Sequence, residues 1–272
     1  MRSVFSLLSI LFLVSWLMLT GCSKSSTQPK EEPPEVPPAS TMEMDFSNFN
    51  SGPTKVPSAQ GLSMDNWTHA ALSVGYWKLV STVFLAMPVN QFAHLVDQKG
   101  VKQDDGSWVW SYTASFNGKS VTTRLVGKWT SEETFHWDFY ISFQGVYTDF
   151  NWFSGETQRD GSSGWWQFAQ EPDSANPFIR IDWTFNKKDS TRSIRYTNIQ
   201  EGDEHYQSYI EFGITNDPDY DAYFKLVDKK DNRTIEIQWN RSTKAGRVKD
   251  PVFFGDSNWH CWDAHLQDVA CS

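Results

Sequence analysis

The chain has 272 residues, a formal net charge of −9 at pH 7, 15% aromatic residues and 14 tryptophans. Its basic residues are scattered and form no stripe with aromatic residues, so neither charge nor pattern is that of a nucleic-acid-binding protein. The length fits one large β-rich domain. So many indole rings indicate a large core or an aromatic-lined cavity.

The N-terminus has the parts of an export signal. Arg2 precedes an apolar run over residues 4–19, which ends in Leu19-Thr20-Gly21-Cys22. A basic start, an apolar stretch and small residues before a break are typical of a secretory signal peptide. An ordinary secretory signal or a signal anchor is the alternative, but polar residues follow Cys22 at once, whereas a spanning helix stays apolar for about 20 residues.

The tetrad Leu19-Thr20-Gly21-Cys22 resembles the lipobox of bacterial lipoproteins. The resemblance implies cleavage before Cys22, acylation of that residue and anchoring to a lipid membrane outside the cytoplasm. In Gram-negative sorting, Ser23 after the modified cysteine implies the outer membrane, facing the periplasm, with surface exposure left open. Loss of residues 1–21 removes one charge, Arg2, and changes the net charge from −9 to −10.

Composition divides the mature chain into a tether and a domain. Residues 22–41 are rich in Pro, Glu and Ser and contain few large apolar side chains, so they predict an extended tether. Residues 42–272 are the predicted single domain. Its first part, residues 42–61, is polar and is expected to wrap loosely on the rest.

A helix is predicted over residues 65–87, because apolar residues recur there at helical spacing. The helix is apolar nearly all round, which predicts that protein encloses it. Pro88 predicts an end or a kink, and residues 89–96 predict a short second helix. A membrane span is the alternative, but polar residues such as Lys78 interrupt the segment.

After residue 106 the period changes to two. About ten alternating segments joined by tight turns, one of them at Asn117-Gly118, predict an antiparallel meander. The predicted strands cover residues 108–116, 121–129, 135–143, 147–156, 164–169, 178–185, 192–198, 206–214, 222–227 and 234–240. The expected fold class is mainly β (α+β), with the sheet curled as a half-barrel or barrel around the N-terminal helix.

This order of elements resembles the curved-sheet carriers of bacterial lipoprotein trafficking, which pair a curled antiparallel sheet with helices in its mouth. The resemblance covers element order alone. It implies a fold and carries no functional residues, because no motif matches residue by residue.

The cysteines predict one disulfide. Cys22 is assigned to lipid, which leaves Cys261 and Cys271 to pair in an oxidising periplasm. The alternative is a metal site, but the spacing around Cys261 fits no zinc pattern. Its further ligands would be His260, Asp263 and His265. We expect neither a metal nor a cofactor.

Acidic residues give two further candidate sites. A partial calcium-loop pattern places acids at Asp217, Asp219, Asp221 and Asp228. Ala222 stands where the loop needs Gly, so a solvated turn is favoured. Strand residues expected on the polar face are Asp138, Asp149, Asp182 and Glu211, with His136 and His205. A carboxylate pair for glycoside cleavage among them is the alternative.

The tryptophans carry the functional prediction. Trp165 and Trp166 must point to opposite faces of a strand, so one of them is expected at a surface or rim. The expected ligand-binding residues are Trp152, Trp165, Trp166, Trp183 and Trp239. The alternative is that these rings only fill a wide curled sheet.

Together these patterns predict a non-enzymatic lipoprotein of the outer membrane that binds an apolar or lipid-like ligand in an aromatic-lined cleft. One alternative is a glycan-binding or glycoside-active periplasmic protein. Another is a structural subunit of an envelope complex. The expected partners are the lipid membrane, through acylated Cys22, and a hydrophobic small molecule or glycan; nucleic acid is not expected.

Overall fold

The computed structural model describes residues 32–49, 65–172 and 176–271, and the chain divides into two units after residue 34. The first unit, residues 1–34, holds the predicted lipobox. That motif, Cys22 and residues 22–31 of the predicted tether lie outside the described residues. The second unit, residues 35–272, contains every helix and strand described below.

One antiparallel sheet of fourteen strands forms the body of the second unit, and each strand pairs with its neighbours in sequence. The predicted mainly β, antiparallel meander is therefore confirmed. The strands are β1 (Val101–Lys102), β2 (Trp108–Phe116), β3 (Lys119–Trp129), β4 (Thr134–Phe143), β5 (Tyr147–Gln158), β6 (Ser163–Ala169), β7 (Pro177–Asn186), β8 (Thr191–Asn198), β9 (Tyr209–Ile214), β10 (Ala222–Asp228), β11 (Arg233–Trp239), β12 (Gly246–Lys249), β13 (His260–Trp262) and β14 (Asp268–Val269).

The sheet is open. In the described part of the chain, β1 and β14 are its two edges and do not pair with each other, so the barrel form of the prediction is wrong. The strand count is also higher than about ten. The extra strands β1, β12, β13 and β14 have two to four residues each, too few for an alternating pattern to show.

Glycines opposite aromatic rings explain how the sheet holds its tryptophans. Gly155 pairs across strands with Trp166, and Gly164 pairs with Trp183. A Cβ atom on Gly155 would lie 2.5 Å from the Trp166 ring, so the indole fills the space that the missing side chain leaves. The same arrangement recurs in the pairs Gly246–Trp262 and Gly213–Tyr223, whereas at Gly127 the nearest ring is that of Phe135.

Helix α1 (Asp65–Val96) is a single helix of 32 residues with Pro88 inside it. The predicted helix end at Pro88, with a separate second helix, is wrong. Val89, Phe92 and Leu95 lie in the core one turn apart, and their burial offsets the hydrogen bond that proline removes. Within the described residues, no helix combines the length and hydropathy needed to cross a membrane.

Helix α1 lies across the apolar face of the sheet. At its start, the Asn66 side chain donates to the carbonyl oxygen of Cys261 in β13, at 2.9 Å. Near its end, the Phe92 ring lies 5.8 Å from the rings of Phe153 and Trp166, in β5 and β6. The helix therefore contacts strands from both halves of the sheet.

A second segment crosses the same apolar face. This crossing segment, residues 36–49, contains two short 3₁₀ helices, Ala39–Met42 and Ser47–Phe49. The Trp166 indole in β6 donates to the Thr41 hydroxyl at 3.2 Å, and the Phe49 ring lies 4.9 Å from Trp239 in β11. Met42 is fully buried, so the packed part of the chain starts before residue 42, and residues 42–49 do not wrap loosely.

The C-terminal end of the sheet is tied down twice. Helix α2 (Pro251–Phe254) follows β12, and the Asp250 carboxylate caps it by accepting from the backbone N–H groups of Val252 and Phe253. The Sγ atoms of Cys261 and Cys271 are 2.04 Å apart, which is disulfide distance. This pair closes the short loop that carries β14.

Candidate functional site

A cleft opens on the apolar face between the crossing segment, the middle of α1 and β8. Its volume is about 480 Å³. The cleft is lined by Ser40, Met42, Glu43, Met44, Asp45, Phe46, Ser47, Lys78, Leu85, Ala86, Val89, Arg192 and Tyr196. Most small-molecule sites have volumes of about 300–1,000 Å³, and this cleft falls within that range.

Part of the cleft wall is apolar and belongs to the buried core. Met42, Leu85 and Val89 belong to the buried core, with exposed fractions of 0%, 5% and 6%. The hydroxyl group of Tyr196 donates to the carbonyl oxygen of Met42 at 2.6 Å, which fixes the crossing segment on β8. Burial raises the pKa of the Tyr196 hydroxyl, so it remains a neutral donor.

Arg192 is a charged residue of the cleft that lies on the apolar face of the sheet. It alternates with Ile194 and Tyr196 along β8, so it points to the apolar face. Its guanidinium carbon lies 5.7 Å from the Phe212 ring centroid, and its Nη2 atom lies 3.8 Å from Asp45. The Nε atom is buried and has no hydrogen-bond partner among the described residues.

The rim of the cleft carries both signs of charge. Glu43 and Asp45 lie on the crossing segment, and Lys78 lies on α1. Burial raises the pKa of the Asp45 carboxyl, but hydrogen bonds from Ser47 and the nearby charge of Arg192 outweigh burial and lower it overall. Asp45 is therefore ionised at neutral pH, and it lies beside Arg192 on the side of Nη2 rather than of Nε.

The five predicted ligand-binding tryptophans do not line this cleft. Trp166, Trp183 and Trp239 are buried in the core, with exposed fractions of 0%, 4% and 2%. Trp152 and Trp165 are half-buried elsewhere, and none of the five lines the cleft. Trp166, Trp183 and Trp239 therefore serve as core residues, and a ligand site at Trp152 or Trp165 stays a prediction.

Trp152 lies in a different depression, near the bulge in β5. Its ring centroid is 6.0 Å from that of Phe150, which is 5.8 Å from that of Tyr147. The depression has a volume of about 540 Å³ and also contains the amide side chains of Asn151 and Gln167. Aromatic rings beside amide side chains are typical of protein surfaces that bind carbohydrate.

The opposite face of the sheet carries a row of direct cross-strand neighbours, one per strand, which are acidic or basic residues except for Trp165. From β4 to β12 the row is His136, Glu156, Trp165, Asp182, Arg195, Glu211, Lys225, Glu236 and Lys249. Signs alternate from Asp182 onward, and Arg195 forms an ion pair with Glu211 at 2.5 Å. Such cross-strand pairs stabilise the sheet.

Each acidic residue considered for catalysis has its own polar partner. Asp138 and Asp182 lie 3.4 Å from His136 and 2.8 Å from Arg180. The other contacts are Asp149 with Arg124 at 3.2 Å, Glu211 with the Tyr223 hydroxyl at 2.6 Å, and His205 with Asp228 at 3.0 Å. These contacts give each carboxylate a structural role in strand pairing or turns.

The alternative metal sites are not assembled. Cys261 is in the disulfide, and His260 contacts Asp256 at 3.1 Å. In the calcium-loop pattern, Asp217 accepts from two backbone N–H groups of its own turn, and Asp221 pairs with Arg241. Among the residues that the structure describes, no three metal-ligating side chains form a group.

The cleft was not predicted, because the tryptophan content was given more weight than the strand face on which each residue lies. The predicted strand 192–198 already placed Arg192 on the face of Ile194, and a lone arginine on an apolar face was the available signal. The contribution of Met42 from the crossing segment had no such signal.

No protein-family model matches the chain, and neither a curated protein nor a solved structure shows significant similarity to it.

Proposed function

We propose that this protein is an outer-membrane-anchored lipoprotein that binds, without catalysis, an amphiphile with one acyl chain and an anionic head group. Arg192 in the cleft is the observation that carries the proposal. A guanidinium whose Nε donor has no partner among the described residues, beside the apolar side chains of Met42, Leu85 and Val89, is suited to a carboxylate or phosphate at the end of an acyl chain.

The energetics favour such a ligand over a neutral one. A buried donor without a partner costs about 1–3 kcal/mol, which an anionic acceptor on the ligand removes. A hydrogen bond to a charged group contributes about 1.5–3 kcal/mol. Each methylene of the ligand that is buried against Met42, Leu85 and Val89 contributes about 0.8 kcal/mol to the binding free energy.

The proposal includes a curled sheet and a lipid anchor. Contacts of α1 with β2 and β3, and also with β12, β13 and β14, support a half-barrel around the helix. The anchor rests on the resemblance of residues 19–22 to a lipobox. A carrier-like shape beside a membrane suits a ligand taken from that membrane.

Photocrosslinking in cells tests the ligand. A diazirine-bearing palmitate analogue is supplied to cells that express the full chain, and light-dependent adducts are mapped by peptide mass spectrometry. We expect adducts on Met42, Leu85 or Val89. Light-independent labelling at Cys22 reports acylation separately.

The matched control uses two arginines. R192Q removes the charge in the cleft, whereas R180Q removes an arginine that pairs with Asp182 and stacks on Trp165 at 4.6 Å on the opposite face. Cleft adducts should fall several-fold in R192Q and remain unchanged in R180Q. Equal adducts in both variants, or adducts confined to the outer face, contradict the proposal.

A second candidate function is glycan binding at the depression that contains Trp152. The neighbouring rings of Phe150 and Tyr147 and the amide of Asn151 favour it. W152A should then abolish retention on immobilised envelope polysaccharide, while R192Q should not. Retention of both variants, or of neither, rules out this site as the glycan site.

A further inference from the structure

The side of α1 that faces away from the sheet is apolar and exposed. Leu72, Tyr76 and Leu79 are 68%, 62% and 64% exposed, and Met87 further along is 52% exposed. Their spacing places the first three on one helix face. The prediction that protein encloses α1 is therefore wrong for this face within the described structure.

Beyond Asp65, the first residue of the helix, this face carries little charge. Asp65 and Lys78 are the only Asp, Glu, Lys or Arg residues in the 32 residues of α1, in a chain that is 21% charged. A helix that lies on a soluble domain normally carries its charged residues on the side opposite the core. The outer side of α1 therefore has the composition of a covered surface.

Helix α2 extends the apolar surface. The Phe253 ring stacks on His69 at 3.8 Å, and His69 precedes Leu72 by one helical turn. Val252 and Phe253 are 66% and 54% exposed. Leu72, Tyr76, Leu79, Met87, Val252 and Phe253 together form what we call the helix-face patch.

We propose that the helix-face patch docks on the phospholipid surface into which the acyl chains of Cys22 insert; this proposal rests on the lipid anchor of the proposed function. Val36 follows Cys22 by 14 residues, which span at most about 50 Å when fully extended. The crossing segment that follows Val36 contacts α1 through Ala39–Met42. The chain from the anchor therefore enters the domain next to α1.

Docking in this way gives the cleft access to lipid. Lys78, Leu85 and Val89 line the cleft and belong to the same helix as Leu79. A helix that lies at the depth of the lipid head groups keeps its apolar side chains in the acyl boundary and its lysine at the surface. An amphiphile leaving the bilayer then reaches Arg192 along the side of α1.

The test uses one introduced cysteine in the full, lipidated protein, reconstituted in vesicles of phosphatidylethanolamine and phosphatidylglycerol. Cys261 and Cys271 are paired, so a thiol-reactive fluorophore should label Leu79→Cys alone. We expect blue-shifted emission and quenching by a lipid-borne nitroxide. The control is Thr184→Cys, an exposed position that alternates with buried Trp183 and so lies on the opposite face of the sheet.

Quenching at residue 79 should exceed that at residue 184 by about twofold or more. A second pair of proteins carries the label at Met87→Cys, with and without L72E. L72E should remove the quenching of the label at residue 87. Near-ultraviolet circular dichroism should stay unchanged, because both positions are exposed. Equal quenching at residues 79 and 184 overturns the proposal. The proposal is also overturned if residue 79 is shielded in the absence of vesicles and the shielding increases with protein concentration. The helix-face patch would then bind a second copy of the chain.

The two proposals can fail separately. Cleft adducts in the photocrosslinking experiment without nitroxide quenching at Leu79 retain the ligand and reject the docking. Absence of acylation at Cys22 rejects the anchor, and with it the docking proposal.

Discussion

Removal of the Asp250 carboxylate should destabilise the domain more than any other single acidic substitution at the end of a strand. The side chain is fully buried. It accepts hydrogen bonds from Arg233 Nη2 at 2.5 Å and from His69 Nε2 at 2.9 Å. It also caps α2, so one carboxylate joins β11, α1 and α2.

The expected cost of D250A follows from these contacts. Loss of one partner of a buried ion pair costs about 3–5 kcal/mol, and loss of a helix N-cap costs about 1 kcal/mol. The Arg233 side chain is 34% exposed, so water compensates part of its loss. We therefore expect D250A to lower the free energy of unfolding by about 3 kcal/mol.

The effect should depend on pH. Burial raises the pKa of the Asp250 carboxyl, but hydrogen bonds from Arg233 and His69 outweigh burial and lower it overall. A carboxyl group whose pKa is lower in the folded state stabilises the fold above its unfolded pKa, and this contribution disappears as the pH falls through the folded pKa. The difference between wild type and D250A should therefore shrink on acidification.

Equilibrium urea unfolding followed by tryptophan fluorescence measures the effect, with D228A as the matched control. Asp228 is the last residue of β10, much as Asp250 directly follows β12, and it also accepts from a histidine, His205, and from the backbone N–H of Lys230. Its side chain is 22% exposed, so we expect a cost of about 1 kcal/mol. Equal losses in the two variants would refute the reasoning from burial.

Three further predictions test the anchor, the disulfide and the glycine pairs. C22A should abolish palmitate labelling and leave an uncleaved precursor; labelling that persists rejects the lipobox. C271S should cost about 2–3 kcal/mol, since the disulfide closes a loop of 10 residues, and reductant should bring the wild type to the same unfolding midpoint. G155A should destabilise by about 1–3 kcal/mol, because its Cβ would lie 2.1 Å from the backbone oxygen of Trp165 and 2.5 Å from the Trp166 ring. G75A, with open space around it in α1, should stabilise by up to about 1 kcal/mol, and unfolding midpoints that do not separate the two variants contradict the packing argument.

The sheet was largely predictable because its long strands have one buried and one solvated face. Alternation located β2 to β11, and the Asn117-Gly118 turn has the positive φ angles, 49° and 74°, that a tight hairpin requires. Strands of two to four residues, such as β13 and β14, carry too few residues for a period. Their position depends on pairing with β12 and on the disulfide, which are long-range contacts.

The site was less predictable because it depends on a segment without periodicity. Nothing in the local sequence around Met42 and Phe46 indicates that they cross the sheet; only the rings of Phe212 and Phe224, 6.2 and 6.0 Å from Phe46, fix them there. Pro88 shows the same limit, since tertiary packing overrode a local helix-breaking preference. The position of Arg192 on the same strand face as Ile194, by contrast, follows from the sequence.

The blunt edges of the open sheet have a consequence for self-association. A sheet edge with free N–H and C=O groups is a template on which other chains add strands and aggregate. Here the two edges, Val101–Lys102 and Asp268–Val269, are two residues long, and the disulfide holds the second in place. The described sheet can therefore stay open without offering neighbouring chains a long strand edge on which to pair.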